Sequence, residues 1–225
     1  MAWRYDPRAR RYRDDVNGQF LSRDRAMQFV SQSLQATGNA TDELARLVAG
    51  NRLSPADWRE QMRAEIKAEI IRQALLGQGG VERMTPEAWG SVGGSISEQY
   101  RYLDRKTDSF FDQVAAGELS EDEIARRGRM YINSAREAYE RGVRRRLRDS
   151  EYDEVKWNLS SGESCGDCID LALLDWMPID SLSQYPGDGK TACKTNCGCS
   201  LRYRRSHTGD IFEADESEGR VAAEA

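Results

Sequence analysis

The chain has 225 residues, enough for one or two domains with a substantial core. It carries 33 basic and 38 acidic residues, a net charge of −5, with 39% apolar and 32% charged side chains. That balance is polar for a globular protein and excludes the low-hydropathy, high-net-charge signature of full disorder. No uncharged stretch approaches the roughly 20 apolar residues of a membrane-spanning helix, so no membrane partner is expected. The start, Met1-Ala-Trp-Arg-Tyr-Asp6, has no apolar segment behind it and does not read as a secretory signal. The chain is therefore expected inside a cell, where thiols stay reduced and clustered cysteines point to metal before disulfide. A single histidine, His207, leaves little room for catalytic triads, di-iron bundles or histidine-rich zinc hydrolases. It reads as a solvated loop residue, and neither an enzyme nor a small-molecule substrate is expected.

In chain order, Arg4, Arg8, Arg10, Arg11 and Arg13 surround Tyr5 and Tyr12, with Pro7 opposing a helix. Residues 1–20 are predicted to form an extended basic arm. Ser22 can cap a helix to about Thr37 with Ala26, Phe29, Val30 and Leu34 on one side, and a second short helix is expected from Thr41 to Ala49. Ser54-Pro55-Ala56-Asp57 is a helix start, and Trp58, Met62, Ile66, Ile70 and Ala74 then recur every fourth residue up to Gly77-Gln-Gly-Gly80. Thr85-Pro86-Glu87 starts another helix, expected to bury Trp89, Val92, Ile96, Tyr100 and Leu103, with Gly93-Gly94 marking a close helix contact or a kink. Ser120-Glu-Asp-Glu123 is a capping box, and the helix behind it is predicted to reach Leu147 along Tyr131, Ala135, Tyr139 and Val143. Its end is crowded with Arg141, Arg144, Arg145, Arg146 and Arg148. That is more positive charge than the negative end of a helix needs, so Arg141, Arg144, Arg145 and Arg148 are candidate partner-binding residues.

The texture changes near residue 150. Residues 1–150 hold 26 basic and 23 acidic groups, whereas residues 151–225 hold 7 and 15. Val155-Lys-Trp157-Asn-Leu159 alternates like a half-buried strand. The reading is a mainly α chain: a long-helix bundle at 21–150, then a small cysteine-rich, β-containing module at 151–206, then an acidic disordered tail at 207–225.

All five cysteines lie in that module: Cys165-Gly-Asp-Cys168, then, after 24 residues, Cys193-Lys-Thr-Asn-Cys197-Gly-Cys199. Two residues between the first thiols let both sulfurs reach one ion, and the second group supplies the remaining ligands of a tetrahedral site. Five thiols without histidine predict one closed, structural zinc, which would supply folding free energy to a segment too small for much core. Which four bind stays open, since Cys197 and Cys199 stand one residue apart. The region reads as mostly non-helical, which opposes a thioredoxin-type dithiol.

Taken with Leu173-Leu-Asp-Trp-Met-Pro178, Tyr185-Pro-Gly-Asp-Gly189 and the preceding Arg129-Met-Tyr-Ile-Asn-Ser-Ala-Arg-Glu-Ala-Tyr139, this pattern resembles the Mu-F-like phage head morphogenesis, or minor capsid, proteins. The likeness covers about residues 120–205. It departs from the family in having a cysteine four residues before Cys197, where a histidine is usual three before, and Gly198 in place of arginine. The resemblance implies a virion protein, present in the host cytoplasm during assembly, that contacts portal or inner capsid proteins and could touch packaged DNA phosphates. The alternative is a zinc-stapled nucleic-acid-binding protein or endonuclease.

Overall fold

The computed structural model describes residues 3–6, 11–14, 23–104, 109–160 and 162–212. The fold is mainly helical with a small three-stranded sheet near its C-terminal end. Strands β1 (Trp3–Asp6) and β2 (Arg11–Asp14) pair antiparallel, Trp3 opposite Asp14 and Asp6 opposite Arg11, so the expected arm folds back into a hairpin. The Ser22 cap and residues 213–225 of the expected 207–225 disordered tail fall outside the described residues, whereas Ile211 and Phe212 of that tail are held against Arg204 and Tyr152.

Helix α1 (Arg23–Ala49) runs unbroken where two helices are predicted. Gly38 and Asn39 would ordinarily end a helix, but here they sit under Arg129. Its guanidinium binds Asp42 and donates to Asn39 Oδ1 at 2.9 Å, while Thr41 Oγ1 donates to the Gly38 carbonyl at 2.8 Å. Those tertiary bonds offset the roughly 1 kcal/mol that a mid-helix glycine costs. Helix α2 (Pro55–Gln78) follows its sequence signals closely. Ser54 accepts from the Asp57 N–H, and Gly79 closes the helix at φ 84°. Trp58, Met62, Ile66 and Ile70 are fully buried against α1 and the later helices.

Helix α3 (Pro86–Asp104) buries Ala88, Val92 and Leu103, but Trp89 is 41% exposed, against expectation. Gly93 and Gly94 mark no contact either, because nothing lies within 4 Å of where their Cβ atoms would be. The close approach is elsewhere. A Cβ on Gly77 would stand 2.1 Å from the Tyr139 carbonyl oxygen, and one on Gly142 would stand 2.8 Å from the Gln78 nitrogen. Helix α4 (Phe110–Ala115), capped reciprocally by Ser109 and Asp112, has no counterpart in the sequence reading.

The capping box at Ser120 is present, with Ser120 N–H donating to Glu123 Oε2 at 2.9 Å. The helix it starts, however, is interrupted. Helix α5 (Glu121–Asn133) and helix α6 (Arg136–Arg148) meet at Ser134–Ala135, where the bonds tighten to a three-residue spacing and Ser134 Oγ bonds the Tyr131 carbonyl at 2.6 Å. This junction lets α5 pack on α1 while α6 packs on α2.

Strand β3 (Glu154–Asn158) is central in the sheet, between β4 (Met177–Pro178) and β5 (Ser200–Arg204), all antiparallel. Trp157 lies opposite Leu201 and Val155 opposite Tyr203, and all four are buried. One apolar cluster joins these residues to Phe29 and Val30 of α1, Leu76 of α2 and Tyr139, Val143 and Leu147 of α6. The core therefore crosses residue 150, and the sheet is seated on the helices. After β5, Ile211 bridges Arg204, and Phe212 packs edge-on to Tyr152 at 5.5 Å. Among the described residues, no helix is long and apolar enough to cross a membrane.

Candidate metal centre

The knuckle is helical, contrary to expectation. Cys165 is the N-cap of α7 (Gly166–Leu173) and Cys168 lies one turn in, so the two-residue spacing becomes a single helical turn with the Ile169 N–H on the Cys165 carbonyl at 3.1 Å. The second group lies on a loop that passes through a short 3₁₀ turn, Lys194–Asn196, and leads into β5. Loop and knuckle are tied by Asp167, whose carboxylate accepts from the Ala192 N–H at 2.7 Å.

All five thiols converge. Cys165, Cys168 and Cys193 form one group with every sulfur within 4.8 Å of the others, and Cys168, Cys197 and Cys199 form a second. Cys168 belongs to both. Its sulfur lies 3.7 Å from that of Cys193 and 3.6 Å from that of Cys197. Those separations exclude a disulfide, whose sulfurs sit about 2.05 Å apart. They match the edge of a tetrahedron of thiolates, roughly 3.8 Å for a metal–sulfur bond of about 2.3 Å. The cluster is thus a set of donors that can bind a metal ion. Cys168, Cys197 and Cys199 are buried; Cys165 and Cys193 are half-exposed and leave the ion a way in.

The thiols are electrostatically uneven. The Cys165 thiol is lowered to about 7, chiefly by the Cys168 backbone N–H in the first turn of α7. Burial raises Cys168 well above the thiol range and pushes Cys197 to about 12. Burial also pushes Cys199 upward, but the Ser160 N–H, the Trp157 indole and the neighbouring thiols outweigh it and leave that thiol lowered. Several buried thiolates this close together cannot coexist without a positive ion. Metal uptake would release their protons and stabilise the fold at once.

Sequence reasoning misses the residue that holds this loop. Arg136, the first residue of α6, is buried and donates from Nη1 to the Cys197 carbonyl at 2.5 Å and from Nη2 to the Cys199 carbonyl. Asn133 of α5 adds a bond to Asn196 at 3.0 Å. The rigid planar fork of a guanidinium suits two carbonyls with one residue between them, but the 61-residue separation leaves no local signal.

The arginine cluster of α6 is largely engaged within the molecule. Arg141 donates to Glu137 at 2.7 Å and lies over the Tyr185 ring at 5.0 Å. Arg144 donates to the Tyr185 hydroxyl at 2.5 Å and to Asp180 at 3.2 Å, and Arg148 lies 3.6 Å from Asp180. Arg145 is half-buried beside Ala88 and Val92. Through Tyr185 and Asp180, Arg141, Arg144 and Arg148 fasten α6 to the cysteine module. His207 is exposed in the turn after β5. Compared with models of protein families, with curated proteins and with solved structures, the chain matches none.

Proposed function

We propose that this chain is a zinc-stapled minor head protein of a phage or prophage, acting in head morphogenesis through contacts with portal or inner capsid proteins. The observation that carries the reading is the convergence of five thiols, with no imidazole among them, where the sheet is seated on the helical body. An ion there is a structural staple: it would link the knuckle, the 193–199 loop and, through Arg136, the start of α6. Zinc is the ion of choice because an all-thiolate tetrahedral set in a reducing compartment favours it and leaves no open position for catalysis. The likeness of residues 120–205 to the Mu-F-like proteins supports the virion role, with the host cytoplasm as the place of assembly. Packaged DNA phosphates are a second contact that the same resemblance implies.

Two measurements test the proposal. Cys168→Ser removes the one thiol common to both groups and is expected to abolish stoichiometric zinc in a purified, reduced chain; retention of a full equivalent would contradict the staple. Mass spectrometry of purified particles should detect the chain in low copy relative to the major capsid protein. Its absence from particles, with the chain abundant in the lysate, would contradict the virion role.

A further inference from the structure

Helix α7 carries the thiols on its inner side and an apolar face on its outer side. Ile169 is 43% exposed, Leu173 is 76% and Leu174 is 61%. Ile169 and Leu173 are one helical turn apart and so lie together. Close by in the chain, Glu163 and Asp170 are exposed and form no ion pair among the described residues, and Asp167, also exposed, binds only the Ala192 N–H and no cation. The sequence from Trp157 to Gly189 contains no Lys, Arg or His at all. Exposed leucines accompanied by unneutralised carboxylates call for a partner that is both apolar and basic.

The chain itself contains such a segment. Residues 1–14 hold Arg4, Arg8, Arg10, Arg11 and Arg13 together with Trp3, Tyr5 and Tyr12. The strands β1 and β2 within it pair with each other and join no other sheet. The other dense arginine cluster, on α6, is largely engaged by Glu137, Asp180 and Tyr185. From this complementarity we infer that the outer face of α7 docks the arginine-rich N-terminal segment of a second copy of the chain. Donor and acceptor surfaces differ, so the contact is head-to-tail: each copy gives one arm and receives one, and the assembly grows to a ring or an open filament.

The inference goes beyond the proposed function and stands apart from it, because a failure of self-association leaves zinc content and particle incorporation unchanged. The test is sedimentation velocity of the full reduced chain. Wild type should self-associate, at least tenfold more weakly in 1 M than in 0.1 M salt, as the screening length shrinks from about 10 to about 3 Å. Leu173→Asp alters only the acceptor face, and the triple substitution Arg10→Glu, Arg11→Glu, Arg13→Glu alters only the arm. Each should be monomeric alone, with unchanged circular dichroism and metal content, since Leu173 is 76% exposed. Mixed in equal amounts they should form a dimer and nothing larger, because one intact arm then meets one intact face. A monomeric wild type, a self-associating Leu173→Asp variant, or a mixture that stays monomeric would each overturn the inference.

Discussion

Replacing one of three helical glycines by alanine should have opposite signs at different sites. At Gly77 the new Cβ would stand 2.1 Å from the Tyr139 carbonyl oxygen, 2.8 Å from its carbon and 3.0 Å from its Cα. That is more than 1 Å short of van der Waals contact, and the obstacle is backbone, which no rotamer change can clear. Helices α2 and α6 must move apart, opening the packing around Leu76, Tyr139 and Val143. Overpacking of this kind costs about 3 kcal/mol at the upper end of its usual range. The better helix propensity of alanine returns about 1 kcal/mol. The net loss of about 2 kcal/mol should lower Tm by roughly 4–8 °C for a chain of this size. Gly93 and Gly94 meet nothing within 4 Å, so Gly93→Ala or Gly94→Ala gains only the propensity, raising Tm by roughly 2–4 °C. Thermal unfolding followed by circular dichroism on the three variants reads both signs. A Gly77→Ala protein as stable as wild type, or a Gly93→Ala protein as damaged as Gly77→Ala, would refute the assignment of the close crossing to Gly77 and Gly142.

Arg136→Met should weaken metal binding by about 10–100-fold, the usual effect of losing a group that positions ligands, with Arg136→Lys failing to restore it because one ammonium cannot serve both carbonyls; competition against a chromogenic chelator measures this. Glu137 is raised above its ordinary value of 4.5, chiefly by burial, with Arg141 opposing. The folded state therefore holds that proton more tightly than the unfolded one, and the stability from this group falls as pH rises from 4.5 through the folded value. Urea midpoints across that window should decline less with pH in Glu137→Gln than in wild type. An unchanged slope would remove Glu137 from the account.

The parts of the fold written in local spacing were legible. Ser54 with Asp57 and Ser120 with Glu123 each close a bond three residues away, and the alternation of Val155 and Trp157 marks a strand that buries one face. What escaped was decided at long range. Gly38 stays helical because Arg129, about ninety residues on, binds Asn39 and Asp42. The break at Ser134 exists because α5 and α6 face different helices. Within the metal centre, the five cysteines were plain from their clustering, whereas the helical form of the knuckle and the Arg136 fork depend on where the loop and α6 meet. The buried Glu69 was equally invisible: Ser33, Thr37, Arg72 and Gln73 all converge on its carboxylate, joining α1 to α2. A glutamate next to the buried Ile70 gives no local hint that Ser33 and Thr37, more than thirty residues upstream, are two of its partners.

The most direct test is native mass spectrometry of the full chain purified under reducing conditions. The account predicts one zinc per chain, removed by a chelator together with the near-ultraviolet signal of Trp157, which is buried in the same cluster as Cys168, Cys197 and Cys199. A metal-free chain that keeps that signal, or one lighter by the hydrogens of a disulfide, would contradict it.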